Sequence, residues 1–312
     1  YFFGPSALLV LAAATLGALV TERVFGRRGT LGDGSAVITG LLLGLTLPAG
    51  IPLWMAFVGG AFGIGFGKMI FGGLGQNPFN PALLGRAFLQ AAFPAALTSW
   101  PTNTGADGTV FSHFRFDRLG EWAALRGDNF AWPLMQPEVV DGTTSATPLG
   151  PWKFQATGSE ISGLLLGNTG GCIGETAGIL LLICGGYLVL RNHMNWRIPV
   201  SIFASVAVLT LVFQQIDGDK FSGPITMLFS GGLMLGAVYM ATDMVTSPVT
   251  HKGCWIFGIG IGALVVVIRY WGGLSEGVQY AILLMNAMVP FINRVTQPRV
   301  FGTSGRKVRV TT

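Results

Sequence analysis

Nine apolar stretches, most of them close to twenty residues long, leave this chain few ways to fold. They cover residues 6–24, 36–47, 51–71, 81–100, 173–191, 198–216, 225–243, 254–270 and 277–293. About 20 apolar residues in a helix cross the ~30 Å of bilayer hydrocarbon. Inside that layer every backbone N–H and C=O must be bonded within the protein. The pattern therefore predicts an all-α polytopic membrane protein. The second stretch is short and stops before Pro48, which predicts a broken or half-length helix. Composition points the same way. Charged residues are 11%, against about 25% in an average soluble domain, and mean hydropathy is +0.59.

Some chemistries are excluded early. Cys172, Cys184 and Cys254 form no CxxC pair, so this chain alone builds no iron–sulfur or zinc site from such motifs. His113, His193 and His251 have no metal-ligand spacing. The reading assigns no metal ligand and no catalytic residue. No nucleotide-binding fingerprint is present either.

Charge placement sets an orientation. If the end at Arg27 and Arg28 is cytoplasmic and the spans alternate, twelve of the nineteen lysines and arginines fall on the cytoplasmic side. They are Arg23, Arg27, Arg28, Lys68, Arg191, Arg197, Lys252, Arg294, Arg299, Arg306, Lys307 and Arg309. The opposite side receives Arg115, Arg118, Arg126, Lys153, Lys220 and Arg269, and Arg86 is left inside a span. The positive-inside rule favours this arrangement. It makes the basic tail a cytoplasmic, lipid-facing segment and argues against nucleic acid as a partner. The domains then read as a first membrane unit (1–100), an extracytoplasmic loop (101–172), a second membrane unit (173–294) and a basic cytoplasmic tail (295–312).

The two membrane units resemble each other. "FGGLGQNPFNPALLGRA" (71–87) aligns with "WGGLSEGVQYAILLMNA" (271–287), and "GLLLG" (40–44) with "GLMLG" (232–236). The predicted topology runs the two copies in opposite directions, an inverted repeat of the kind that places sites at repeat interfaces and interrupted helices. The first unit is one helix short of the second. The expectation is two five-helix repeats, ten transmembrane helices in all with nine visible here, and a further span ahead of Tyr1. Gly59, Gly63 and Gly67, and likewise Gly258 and Gly262, have the spacing that lets helix backbones approach in lipid.

A few polar residues stand out. Asn77 and Asn80 flank "NPFN" ahead of Pro81. Asn is a good helix cap and Pro suits a first turn, which accounts for one of them. Two together, beside a Gly-Gly break, suggest a polar pocket. Asp243 ends a span, where a carboxylate is costly, so it is a site candidate or a cap for the turn before Pro248. Arg86 is expected to pair with Asp243 or with an acid of another subunit. Glu175 is expected in the first turn of its span, where the helix dipole favours an anion. For both, a structural role is favoured over an ion path. Trp100, Trp122, Trp132 and Trp152 read as an aromatic belt or loop core, with a flavin platform as the weaker alternative. The stretch "DGTTSATP" reads by itself as an Asx or Ser/Thr turn before Pro148.

Four stretches carry a resemblance. "DGTTSAT" (141–147) fits Asp-x-x-Ser/Thr-x-Ala-Thr, which resembles the acceptor motif of ApbE-type flavin transferases. It implies FMN joined through its phosphate to Thr147, with Asp141, Thr144, Ser145 and Ala146 as the attachment motif. Thr144 and Ser145 replace the Ser-Gly pair often found there. "FGGLGQNPFNPALLGRAFL" (71–89) and "MATDMVTSPVTHKGCWIFGIGIG" (240–262) resemble the NqrB/RnfD family of membrane subunits, and "TQPRVFG" (296–302) looks more like its RnfD branch.

The resemblance covers essentially the whole chain. It implies an electron-carrying subunit of an ion-translocating ferredoxin:NAD+ oxidoreductase (Rnf) complex in the bacterial inner membrane, coupled to Na+ or H+. It also implies the other Rnf subunits and a flavin transferase as partners. A non-covalent riboflavin near Asn77, Asn80 and Asp243 is implied as well. An NqrB-type quinone-reducing subunit, a flavin-free solute channel and a purely structural anchor are the alternatives.

Overall fold

The computed structural model describes residues 3–26, 30–98, 171–175, 178–218, 221–272 and 276–298, and all of their regular structure is helical. The attachment motif Asp141, Thr144, Ser145, Ala146 and Thr147, the loop tryptophans and the basic tail lie outside the described residues.

Among the described residues, three helices are long and apolar enough to cross a membrane: α1 (Gly4–Phe25), α7 (Arg197–Ile216) and α10 (His251–Trp271). A fourth long helix, α11 (Val278–Thr296), carries Pro290 in its interior. Shorter pieces lie between them. They are α2 (Ser35–Leu45), α3 (Leu53–Ile64), α4 (Pro81–Ala92), α5 (Pro94–Thr98), α6 (Gly178–Leu190), α8 (Pro224–Phe229) and α9 (Leu233–Leu235). Leu8, Leu180, Val208, Ile259 and Phe291 are exposed on the outer faces, as befits helices solvated by lipid. The chain is a multi-pass membrane protein.

The short second span is confirmed: α2 is 11 residues long and stops at Thr46. Its last carbonyls are not lost. Leu45 O accepts from Gly174 N at 2.7 Å and Leu47 O from Ile173 N at 3.1 Å. Irregular backbone in this layer is tolerated only when other protein groups satisfy it.

Two spans expected to be continuous are broken. Pro94 lacks an N–H, so residues 81–98 form α4 and α5 with a turn at Phe93. Residues 225–243 break at Ser230–Gly232, where Gly231 has φ 65°. There Arg269 donates to the carbonyls of Met227 (2.5 Å) and Ser230 (2.9 Å). The α3 helix continues as a π turn (Gly65–Met69), and α9 does the same (Gly236–Met240).

Packing follows a pattern. In the first half α1 lies along α2 and α3, and α3 along α4. In the second half α7 lies along α8 and α10, and α10 along α11. The glycine stripes serve these contacts. A Cβ on Gly63 or Gly67 would strike Pro81 of α4, and one on Gly258 or Gly262 would strike Ser201 or Ser205 of α7. One core joins the halves, with Val10, Leu43 and Leu83 from one side and Ile198, Phe257 and Ile282 from the other.

Candidate functional site

A cavity of about 430 Å³ opens where the two halves meet. The first half contributes Ser35, Thr39, Lys68, Asn77 and Asn80 to its wall. The second half contributes Leu188, His193, Tyr239, Thr242 and Asp243. All three polar candidates near the family motif are thus brought together, although Asn80 and Asp243 are 163 positions apart. The volume falls in the range of ordinary small-molecule sites, about 300–1,000 Å³.

Asn80 caps α4. Its Oδ1 accepts from Ala82 N (3.0 Å) and Leu83 N (3.3 Å), and its Nδ2 donates to Met240 O across the interface (3.1 Å). Its side chain is therefore committed to holding the wall. Asn77 is also buried but freer, with one 3.3 Å bond from Nδ2 to Phe79 O. It follows a loop in which Gly72, Gly73 and Gly75 all have φ near +100°, a conformation that excludes most side chains. Asp243 closes the turn after α9, accepting from Val245 N (3.3 Å) and Thr246 Oγ1 (3.2 Å). The capping readings of Asn80 and Asp243 are both observed, and both residues line the cavity.

Lys68 is a wall residue that sequence reading places only as a topological charge. It sits in the π turn after α3 and is 2% exposed. Its Nζ meets Glu22 Oε1 and Ser35 Oγ, each at 2.5 Å, and Asp33 Oδ2 at 3.5 Å. Partial burial opposes ionisation of Asp33. The hydrogen bonds from Ser35 and the nearby Lys68 charge outweigh it and hold the carboxyl below its ordinary range. Glu22 is missed by sequence reading too. The available signal is a lysine and a glutamate near the same ends of neighbouring apolar spans.

A second charge cluster lies at the helix break. Arg86 does not pair with Asp243. Its Nη1 meets Glu175 Oε1 at 3.3 Å and its Nη2 meets Glu276 Oε2 at 2.5 Å. Glu175 lies in a turn ahead of α6 and not in a helical first turn, and Cys172 N donates to its Oε2 (3.4 Å). Gly232 N donates to Glu276 Oε1 at 3.1 Å. Glu276 stands within the aligned repeat, yet nothing in the alignment marks it as a partner. Cys172, Glu175 and Glu276 bring three metal-capable atoms within 4.8 Å of one another. The Arg86 guanidinium already supplies their positive charge, so the cluster reads as an ion network.

Comparison with known proteins fits this architecture. The family described as NQR2, RnfD, RnfE matches residues 1–302. The D-type subunit of a proton-translocating ferredoxin:NAD(+) oxidoreductase complex from Clostridium ljungdahlii is 40% identical, over 96% of this chain and 86% of its own length. The D-type subunit of an ion-translocating oxidoreductase complex from Stutzerimonas stutzeri is 41% identical over 88% and 77%. Its counterpart in a Na(+)-translocating ferredoxin:NAD(+) oxidoreductase complex from Acetobacterium woodii is 39% identical over 97% and 85%. With a match across nearly its full length and a cavity walled by the motif residues, the chain belongs to the NQR2, RnfD, RnfE family.

Proposed function

We propose that the chain is the D-type membrane subunit of an ion-translocating ferredoxin:NAD+ oxidoreductase complex, and that it carries electrons through two flavins. The observation that carries this reading is the convergence of Asn77, Asn80 and Asp243 on one cavity at the junction of the halves. The cavity fits an uncharged flavin. Leu42, Leu74, Val238 and Met244 offer apolar surface, and Asn77, Tyr239 and Thr242 offer hydrogen-bonding groups. Lys68 is the only lysine or arginine among the described lining residues, and its ammonium is already matched by acceptors. Apart from His193, a phosphate would find no free cation among the described lining residues, so riboflavin suits the cavity better than FMN or FAD. When bound, the flavin supplies the one- and two-electron chemistry. Asn77 would orient it, while Asn80 and Asp243 hold the wall in place.

The second flavin is FMN, joined by a phosphoester to Thr147 within Asp141, Thr144, Ser145 and Ala146. An ApbE-type transferase would install it. The recurring helix pairings support two inverted repeats, with the loop of residues 101–172 outside and the C-terminus cytoplasmic in a bacterial inner membrane. Flavins toward both faces suit transmembrane electron flow. Moving a unit charge against 100 mV costs about 2.3 kcal/mol, which a redox drop between such carriers can supply for Na+ or H+. Ferredoxin and NAD would be handled by the other Rnf subunits.

The test is flavin fluorescence of this chain on a denaturing gel after co-expression with its transferase. A fluorescent wild-type band that disappears in Thr147→Ala is expected. A band that stays bright in the variant would move the attachment, with Thr144 next. A dark wild-type band would sink the covalent reading and favour a solute channel.

A further inference from the structure

Lys68 belongs at once to the cavity wall and to a group with two carboxylates, the buried Glu22 and the more exposed Asp33. An ammonium has three N–H donors, and Glu22, Ser35 and Asp33 supply three acceptors. No donor remains for a ligand, so Lys68 acts on the cavity through its field. That field is weakly screened, because Lys68 is 2% exposed and Glu22 is 0% exposed. The other Glu22 oxygen, Oε2, has no hydrogen-bond partner among the described residues. Formally the group holds one cation and two carboxylates.

We propose that the Lys68–Glu22–Asp33 group sets, through its net charge, how strongly the cavity favours a reduced flavin over an oxidised one. The inference rests on the flavin reading of the cavity. Adding an electron to a ligand beside this wall adds negative charge, and the wall opposes it in proportion to its own. Removing Lys68 takes the group from one net negative charge to two. Removing Lys68 and Glu22 together returns it to one. Neutralising Asp33 takes it to zero. A unit charge about 12 Å away at an effective dielectric near 20 alters such a preference about tenfold.

The experiment uses the full chain, produced without a flavin transferase and purified in detergent, with riboflavin as the probe. Affinity for oxidised riboflavin is read by fluorescence quenching, and the midpoint potential by photoreduction against a reference dye. Lys68→Met is expected to lower the reduced-over-oxidised affinity ratio about tenfold, a fall of about 59 mV for a one-electron step. Lys68→Met combined with Glu22→Gln should bring it back toward wild type, and Asp33→Asn should raise it. The double variant contains no unpaired buried charge at the pair, and Asp33 lies at the exposed edge, so these two test the idea even where Lys68→Met does not fold. A ratio unmoved by Lys68→Met, or a double variant no better than the single, overturns the proposal. So does an Asp33→Asn ratio that falls or stays put. Wild-type protein that binds no riboflavin overturns the cavity reading together with this one. Riboflavin bound normally with an unmoved ratio overturns this one alone.

Discussion

Lys68 and Arg86 are both cations buried among carboxylates, yet they do opposite things to the space around them. Lys68 stands at the rim of a cavity, and one of its partners, Asp33, has a side chain 27% exposed. Arg86 is sealed between α4, the turn before α6, the break between α8 and α9, and the approach to α11. The first group leaves room for a ligand and meets the surface. The second joins the two halves and fills the gap a broken helix leaves. A buried charge is expensive wherever it lies. Here one cluster lines the cavity and the other braces the helices around it.

The contrast can be broken most forcefully at Arg86. Arg86→Ala strands Glu175 and Glu276 without their counter-charge, and a loss of about 3–5 kcal/mol is expected. Thermal unfolding in detergent would register it as a large drop in midpoint or as loss of folded protein. A variant as stable as wild type would remove the scaffold role. The two asparagines sharpen the contrast next. Asn80→Ala gives up a helix cap and the bond to Met240 O, at about 1–2 kcal/mol. Asn77→Ala should leave the melting curve nearly in place and weaken riboflavin retention. The reverse pattern would exchange their roles. The smallest effect is expected at Asp33→Asn, where a partly exposed ion pair contributes less than about 1 kcal/mol. A large stability loss there would mean that the Lys68 group is scaffold too.

The sequence announces much of this arrangement, for physical reasons that can be traced. Long apolar runs favour membrane helices, so α1, α7 and α10 are legible almost to their ends, and α11 is legible as a long helix. Pro48 marks the half-length α2. The break at Ser230–Gly232 is hidden, because hydropathy does not fall there and the exposed carbonyls are satisfied by Arg269, a residue far along the chain. The partners of Arg86 are hidden for the same reason. Glu276 lies 190 positions away, and spacing along a chain carries no information about such a contact. Asn77, Asn80 and Asp243 can be grouped through motif resemblance. Lys68 cannot, because it looks like one more positive charge at a cytoplasmic end.

The π turns that end α3 and extend α9 have a consequence for how this fold can vary in length. In each, a backbone N–H reaches back five residues, Ile70 to Gly65 and Ala241 to Gly236, where an α-helix reaches back four. Such a turn amounts to one extra residue accommodated inside a helix. Deleting one residue from Gly65–Met69 would restore the ordinary α register and leave the chain beyond it nearly in phase, whereas a deletion in the α-helical part of α3 would rotate everything beyond it by about 100°. In the second case Lys68 would swing off the cavity wall, with no change in hydropathy to betray the loss. A single-residue gap is therefore better absorbed at the π turn than a turn earlier, where it would displace the cavity wall even if every neighbouring position were identical.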